Sequence, residues 1–282
     1  MIGRILFSYA KGSQLDYDCK KWRLVADILN DAAFFIDLLC PLWPKWFLVS
    51  ACISSLFRCI VGVAGGATRT TIVQHQARRN NLADVAAKDG SQETLVNAAA
   101  LLVSLALLPA VSGKHTIIWI LFGLLTFLHL FANYRAVRSL KLDVLNGKRA
   151  AIIIREYIKN DIILSIDVVN KEEPLFYNLY PTRHLGCSLK TLLEHRRSKN
   201  MIYHESPKFT ILYDPHYGTS WIAMTENAES IDQLNACYDL EQIIINQKIK
   251  LNFNKFVNDL KENGWQIDHH LNFDEWSYSL LE

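Results

Sequence analysis

The sequence predicts an α-helical multi-pass membrane region followed by a small α+β domain on the cytoplasmic side. Residues 94–113 and 116–134 contain no Asp, Glu, Lys or Arg, and roughly 20 apolar residues are enough for a helix to cross a bilayer. The chain changes character near Asn146, after which apolar runs shorten and polar residues interleave. The two domains are therefore expected at residues 1–146 and 147–282.

The overall composition does not reveal that apolar and charged residues are separated along the chain. The 282 residues include 30 Lys and Arg against 28 Asp and Glu, a formal net charge of +2, and 11% of them are aromatic. This balance excludes a polybasic nucleic-acid arm, an acidic tail and a disordered chain, which carry a large net charge or few aromatic residues. We therefore expect no nucleic-acid partner, and we expect the lipid bilayer to be a partner.

Four segments have the length of a membrane span. The candidate spans are residues 24–43, 46–67, 94–112 and 116–134. Only Lys114 and His115 separate the uncharged stretches that contain the last two spans, which predicts a helical hairpin with a tight turn. The alternative is a pair of helices buried inside a large soluble protein, and other elements would then have to cover both helices on every side.

Segment 24–43 is the least apolar of the four. It carries Asp27, Asn30, Asp31 and Asp37, which at about 100° per residue fall within an arc of about 120°. One interpretation is an amphipathic helix that lies on the membrane surface or packs on a soluble domain. The other is a span whose acidic stripe faces the interior of a bundle, because carboxylates in hydrocarbon are tolerated only when paired or hydrated.

Basic residues predict the orientation of the spans. They cluster before the first span, between the second and third, and after the fourth, whereas only Lys45 and Lys114 lie in the opposite turns. By the positive-inside rule, the loop at 69–93 and the C-terminal domain face the cytoplasm or an equivalent compartment. No cleavable signal peptide is evident at the amino end, so targeting is expected to depend on the internal spans or on residues outside this chain.

The predicted loop between the second and third spans holds most of the candidate ligand-binding residues. These candidates are Arg58, Arg69, Arg78, Arg79, Asn80, Asn81, Asp84, Lys88, Asp89, Gln92 and Glu93. Arginine suits bidentate binding of phosphate or carboxylate, so a small anionic ligand or a lipid phosphate is the predicted partner. The alternative is structural: the arginines determine topology, and Asp84 with Lys88 braces a helix as an i,i+4 pair. Gly65-Gly66 is expected to allow close backbone approach or a helix break.

No motif with catalytic, metal-binding or cofactor-binding chemistry occurs in the sequence. GxSxG, HExxH, phosphate-loop and dinucleotide-binding glycine patterns are all absent. The six cysteines form no CxxC pair, and the adjacent His269 and His270 would point to opposite faces of a strand. We therefore predict no catalytic residues, no metal site, no cofactor and no disulfide framework.

The C-terminal domain is predicted to mix helices with a β-hairpin. The predicted elements are a helix at 148–159, strands at 208–214 and 219–225 joined by the turn PHYG, a helix from Ser230, a helix at 252–262 and a closing strand pair or strand and tail at 265–281. The hairpin rests on β-branched and aromatic residues flanking a turn. Asn263-Gly264 is a typical helix C-cap.

Residues 3–146 resemble the root UVB sensitive family, proteins of the DUF647 type. The distinctive blocks are GGATR and HQARRNNLADVAAKDGSQET, and the tail is similar more loosely. The resemblance implies a membrane-associated protein, with plant members linked to ultraviolet-B responses, vitamin B6 homeostasis and auxin transport. It supplies no catalytic residue. It also implies a shortened form or fragment that lacks the family's upstream part.

Two functional hypotheses follow. The first is a transporter-like or small-ligand-binding membrane module, because the acidic stripe of the first segment and Arg58 place ionisable groups at membrane depth. The alternative is a membrane-anchored scaffold whose C-terminal domain recruits a protein partner. In that case the polar loop contributes to an interface with a second copy or a family paralogue.

Overall fold

The computed structural model describes residues 2–12, 14–176, 182–195, 201–246, 252–268, 271 and 277–278. It divides into two compact units, Met1–Ser139 and Leu140–Glu282. The first unit is helical, and its helices are α1 (Ile2–Lys11), α2 (Gln14–Tyr17), α3 (Cys19–Leu39), α4 (Phe47–Gln76), α5 (Leu82–Val111) and α6 (His115–Ser139). The second unit packs helices on a small mixed sheet.

Three of the described helical stretches are long and apolar enough to cross a membrane. They are Pro44–Gln76, Leu82–Val111 and His115–Ser139. These stretches contain the predicted spans 46–67, 94–112 and 116–134, so long apolar helices at those positions are confirmed. The apolar windows of the last two stretches have no buried residue, which leaves their side chains open to an apolar environment.

The first candidate span, 24–43, is not a single helix. α3 begins earlier, at Cys19, and ends at Leu39, and two short 3-10 turns follow at Cys40–Leu42 and Pro44–Trp46. Pro41 and Pro44 explain the interruption, because proline has no backbone N–H to donate and clashes with the preceding helical turn. α3 is not among the three described stretches with the length and apolarity of a span.

α3 runs antiparallel to α4 and packs along its side. Near one end of the contact, Arg23 Nη1 donates to the carbonyl of Gly65 at 3.4 Å, and near the middle Ser54 Oγ donates to the carbonyl of Ala33 at 3.3 Å. Ala33 and Ala64 are fully buried. Small residues let helix backbones approach closely, and α3 therefore lies beside the apolar part of α4.

Of the two alternatives expected at Gly65-Gly66, close backbone approach or a helix break, the helix break does not occur. α4 continues through both glycines to Gln76. A glycine inside a helix costs about 1 kcal/mol relative to alanine, and the packing of α3 against this turn offsets that cost through buried Ala64 and the Arg23 hydrogen bond.

The predicted loop at 69–93 is also mostly helical, because only residues 77–81 connect α4 to α5. The stretch that follows Asn81 is rich in Ala, Leu, Lys, Gln and Glu. These residues have high helix propensity, so they extend the helix despite their polarity.

Within its described residues, the second unit contains seven helical or extended elements before its last two helices. In chain order they are α7 (Gly147–Asn160), α8 (Ile166–Glu172), β1 (Thr182–Leu185), α9 (Leu189–His195), β2 (Ile202–Glu205), β3 (Phe209–Asp214) and β4 (Thr219–Thr225). α10 (Ser230–Asn246), α11 (Phe253–Glu262) and β5 (Ser277–Tyr278) follow. The predicted helices at 148–159, from Ser230 and at 252–262 are confirmed, whereas α8, α9, β1 and β2 were not predicted. His269 and His270 lie outside the described residues.

The predicted β-hairpin is the centre of the sheet. β3 and β4 pair antiparallel from Phe209–Met224 to Asp214–Thr219, which confirms the hairpin. The sheet order is β1-β4-β3-β2, with β5 pairing parallel to β4. Alternate residues face opposite sides of a strand: Ile211 and Ile222 join the main core, and Leu212 and Trp221 join a smaller cluster with Leu192 of α9.

A buried carboxylate ties three elements of this unit together. Glu241 of α10 is 1% exposed, and its two oxygens accept hydrogen bonds from Arg155 Nε at 2.8 Å and Arg183 Nε at 2.6 Å. Arg155 belongs to α7 and Arg183 to β1. A buried charge is tolerated only when it is paired and hydrogen-bonded, so this contact holds both elements against α10.

Replacing Glu241 with Gln is expected to destabilise the second unit by about 3–5 kcal/mol, because two arginines then lose their charged partner. Urea-dependent hydrogen exchange of the α10 amides in the full chain measures this change. The control is Asp161→Asn, which breaks an ion pair with Lys255 whose side chains are 64% and 54% exposed. That substitution is expected to cost much less, because an exposed ion pair contributes little to stability, and equal effects of the two substitutions would contradict the assignment.

Candidate functional site

An open groove of about 630 Å³ lies between α3 and α6. Its lining residues are Asn30, Asp31, Phe34, Asp37, Leu38, Ile118, Phe122, Leu125, Thr126 and His129. A few polar groups set among apolar and aromatic walls are typical of small-molecule sites, whose volumes run from about 300 to 1,000 Å³. The groove is therefore the candidate functional site of the helical unit.

The central polar contact of the groove joins Asp31 to His129. His129 Nδ1 lies 2.9 Å from Asp31 Oδ2, and the two residues are 98 positions apart in the chain. The Asp31 side chain is 12% exposed and that of His129 is 41% exposed. A neutral imidazole with its proton on Nδ1 donates to the carboxylate, and a protonated imidazole forms an ion pair with it. The distance between the two atoms fits either form of the ring.

A second carboxylate of the groove is neutralised by an arginine. Arg58 of α4 forms a salt bridge with Asp37 of α3. The same guanidinium lies 5.5 Å from the centroid of the Phe34 ring, a separation at which a cation is attracted to an aromatic face. Arg58 is thus engaged on two sides, which leaves it poorly placed to hold an anionic ligand by itself.

Asp27 lies one helical turn before Asp31, and its carboxylate is less completely hydrogen-bonded. Its Oδ2 is buried and has no hydrogen-bond partner among the described residues. The charged groups that act on it are Arg23, His129 and Asp31. A buried carboxylate oxygen without a partner is costly, and burial favours the neutral form of a carboxyl group.

A separate cluster lies where α4 meets α5. Arg69 donates to Asp89 with an Nε to Oδ2 distance of 2.6 Å and also forms a salt bridge with Glu93. The guanidinium thus bridges two carboxylates that are one helical turn apart. This geometry explains how the ends of α4 and α5 are held together, and it neutralises Arg69.

The remaining candidates lie around the turn between α4 and α5. Arg78 and Arg79 are exposed there, and Asn80 adopts a left-handed backbone conformation with φ of 54°. Asn81 Oδ1 accepts a hydrogen bond from the backbone of Arg79 at 3.3 Å.

Asp84, Lys88 and Gln92 follow on exposed faces of α5. Lys88 Nζ lies 2.9 Å from Asp84 Oδ2 across one turn of that helix. This is the i,i+4 pair that the sequence allowed as the structural alternative.

The structure therefore distributes the predicted candidates over three places. Asn30, Asp31 and Asp37 of α3 line the groove, with Asp27 one turn earlier on the same helix and Arg58 paired at the rim. The ion-pair cluster holds Arg69, Asp89 and Glu93, and the turn and its flanking helix hold the others.

Sequence reasoning missed the α6 side of the groove. His129, Thr126 and Phe122 all fall in the span predicted at 116–134. A signal was available, because His129 is an isolated titratable residue within an uncharged stretch, and ionisable residues at membrane depth commonly mark functional positions. The partner of His129 was not evident, because Asp31 lies 98 residues away.

Comparison with known proteins identifies relatives of the chain. Residues 1–161 match the family model described as the vitamin B6 photo-protection and homoeostasis domain. The chain is 44% identical over 173 residues to protein root UVB sensitive 3 of Arabidopsis thaliana, covering 61% of this chain and 39% of that protein. It is 42% identical over 183 residues to RUS family member 1 of Dictyostelium discoideum, covering 64% of this chain and 35% of that protein.

A more distant relative matches over nearly the whole chain. Protein root UVB sensitive 2, chloroplastic, of Arabidopsis thaliana is 26% identical over 296 residues, covering 96% of this chain and 67% of that protein. The chain thus spans 39% and 35% of the length of the two more similar relatives. No solved structure matches the chain.

The contact between Asp31 and His129 is expected to appear as energetic coupling. In a double-mutant cycle with Asp31→Ala and His129→Ala, we expect a coupling energy of about 0.5–3 kcal/mol, because contacting residues in one hydrogen bond are not additive. Unfolding of the full chain in detergent micelles measures the cycle. The control cycle, Asp84→Ala with Lys88→Ala, tests an exposed i,i+4 pair, for which we expect weaker coupling. Additive effects at Asp31 and His129 would contradict the contact.

Proposed function

The chain belongs to the root UVB sensitive family, and on that premise we propose that its helical unit is embedded in a membrane as a transporter-like, small-ligand-binding module. The ligand site is the groove between α3 and α6. The observation that carries this proposal is the Asp31 to His129 contact, a titratable pair within a groove that has apolar and aromatic walls. Ionisable residues at membrane depth are costly and are commonly retained for function.

Exposed apolar surface supports the membrane location. α5 has no buried residue, and side chains such as Leu102 and Leu108 are more than half exposed. Soluble proteins rarely leave contiguous apolar patches of more than a few hundred Å² open to water. A bilayer solvates such a surface, and α4, α5 and α6 are each long enough to span one.

Charge distribution supports one orientation of these helices. Arg78 and Arg79 lie in the turn before α5, and Arg135 and Arg138 lie in the last turns of α6. By the positive-inside rule, both places face the cytoplasm or an equivalent compartment. The exposed Arg78 and Arg79 are then available to lipid phosphates, which is the anionic chemistry that suits them best.

The groove supports a ligand that is not strongly anionic. Its titratable lining residues are two aspartates and one histidine, and the nearest arginine is already paired with Asp37. The family model is described by vitamin B6 photo-protection and homoeostasis, so vitamin B6 compounds are the first ligands to test. The carboxylates favour an unphosphorylated ring such as pyridoxine over its phosphate esters, since like charges repel.

The C-terminal unit supports a second candidate function, a membrane-anchored scaffold. It has its own hydrophobic core, built from α7, α10, α11 and the sheet. A separately packed unit is suited to hold a protein partner beside a membrane. Retention of ligand binding in a full chain whose second unit is destabilised by Glu241→Gln would separate the two candidate functions.

The two turns that flank α5 are expected to lie on opposite sides of the membrane. A 30-residue helix is about 45 Å long at 1.5 Å per residue, which exceeds the thickness of the hydrocarbon core. In right-side-out vesicles, an impermeant maleimide is expected to label Ser112→Cys and not Arg79→Cys, with the reverse in inside-out vesicles. Peptide mass spectrometry distinguishes these sites from the native cysteines, and labelling of both from one side would contradict the proposed topology.

Filling the groove is expected to remove ligand binding. Thr126→Trp places a bulky ring against the α6 wall, so the Kd for pyridoxine in detergent-solubilised full chain should rise at least about tenfold, which corresponds to about 1.4 kcal/mol. The matched control is Ala99→Trp, which adds the same ring to an exposed position of α5 and should leave the Kd unchanged. Equal binding by both variants would place the ligand elsewhere.

A further inference from the structure

The groove carries an imbalance of charge that points to a class of ligand. Two carboxylates, Asp31 and Asp37, line the groove, and one guanidinium group, that of Arg58, is paired with Asp37. When His129 is neutral, these groups therefore lack one positive charge.

The walls of the groove favour a planar apolar body next to that charge. Phe34 of α3 and Phe122 of α6 both line the groove. The face of Phe34 already attracts one cation, since the Arg58 guanidinium lies 5.5 Å from its centroid. A cation is attracted to an aromatic face, and the attraction strengthens as a ligand displaces water from that face.

We propose that the groove selects a small organic cation with a planar apolar body, and that this cation replaces a proton on the Asp31–His129 pair. The inference rests on the proposed function and names the charge class of its ligand. No bond to the ligand forms in this step. The imidazolium of His129 releases one proton to water, and the ligand supplies the positive charge that the proton had supplied.

The sign of the pH dependence follows from the charged groups around His129. They are Arg23, Asp27, Asp31 and Asp37 of α3 and Arg58 of α4, whereas the neighbouring turns of α6 carry no charged residue. A protonated His129, together with Arg58, balances the two carboxylates that line the groove, so a bound cation would then be in excess. The cation therefore binds better at high pH, and where it displaces one proton its Kd rises about tenfold for each unit that the pH falls.

Three probes of similar size and different charge test the selectivity on the unmodified full chain in detergent. They are benzylammonium, benzyl alcohol and benzoate, measured by isothermal titration calorimetry. At pH 8 we expect benzylammonium to bind at least about tenfold more tightly than the other two. The reason is that only benzylammonium forms an ion pair with a carboxylate of the groove, at a position that water only partly screens. Titration in two buffers of different ionisation enthalpy, at a pH where His129 is protonated in the free protein, measures the proton released per bound cation.

Two substitutions assign the effects to residues. Asp31→Asn should lower the affinity for benzylammonium to that for benzyl alcohol, while the affinity for benzyl alcohol stays the same. His129→Gln should remove the pH dependence and keep the preference for the cation. Asp84→Asn removes a carboxylate that pairs with Lys88 outside the groove, and it should change neither property.

The possible outcomes distinguish the inferred cation preference from the proposed ligand-binding function. Equal or tighter binding of benzyl alcohol or benzoate, at a site that Thr126→Trp blocks, would overturn the cation preference and leave the ligand site in place. Cation binding without proton release, or with a pH dependence that survives in His129→Gln, would overturn the exchange. Failure of pyridoxine and of all three probes to bind the unmodified protein would overturn the proposed function itself.

Discussion

The hydrogen bond between Asp31 and His129 is the contact on which the arrangement of the helical unit depends. α3 carries an acidic stripe that an apolar environment does not solvate, so each of its polar groups needs a partner from another helix. His129 of α6 pairs with Asp31, and Arg58 of α4 pairs with Asp37. α3 is thereby held against both helices, and the groove is the space that remains between α3 and α6.

The same requirement explains why the arginines are not free for an anionic ligand. Arg58 is used by Asp37, and Arg69 bridges Asp89 and Glu93 at the start of α5. A guanidinium that already holds carboxylates has little remaining affinity for another anion. What the groove lacks is positive charge, and this reverses the ligand chemistry that the arginine-rich sequence suggested.

The second unit also contains a charge that is paired with residues of other elements, and here the charge is buried. Glu241 is almost fully enclosed, with guanidinium groups from α7 and β1 on its two oxygens. Because the pair is desolvated, the loss of any partner leaves a charge without compensation. The contact joins elements that are distant in sequence around α10, and the main core of this unit is built from residues of the unit itself.

The sequence by itself determined the features that follow from local periodicity and composition. The lengths of the apolar runs predicted α4, α5 and α6, and β-branched and aromatic residues around PHYG predicted β3 and β4. The blocks GGATR and HQARRNNLADVAAKDGSQET identified the family. Each of these signals lies within about 30 consecutive residues, the scale at which a helix or hairpin is specified.

The tertiary structure alone decided how the polar residues are matched. Polar composition between residues 69 and 93 suggested a loop, but packing of α3 on α4 and the Arg69 ion pairs accompany nearly continuous helix there. The partners Asp31 and His129 are 98 residues apart, and Arg155 is 86 residues from Glu241. Sequence periodicity shows which face of an element is polar. Which charged residue pairs with that face depends on which other element packs against it. For that reason the acidic stripe was visible in the sequence, and the groove was not.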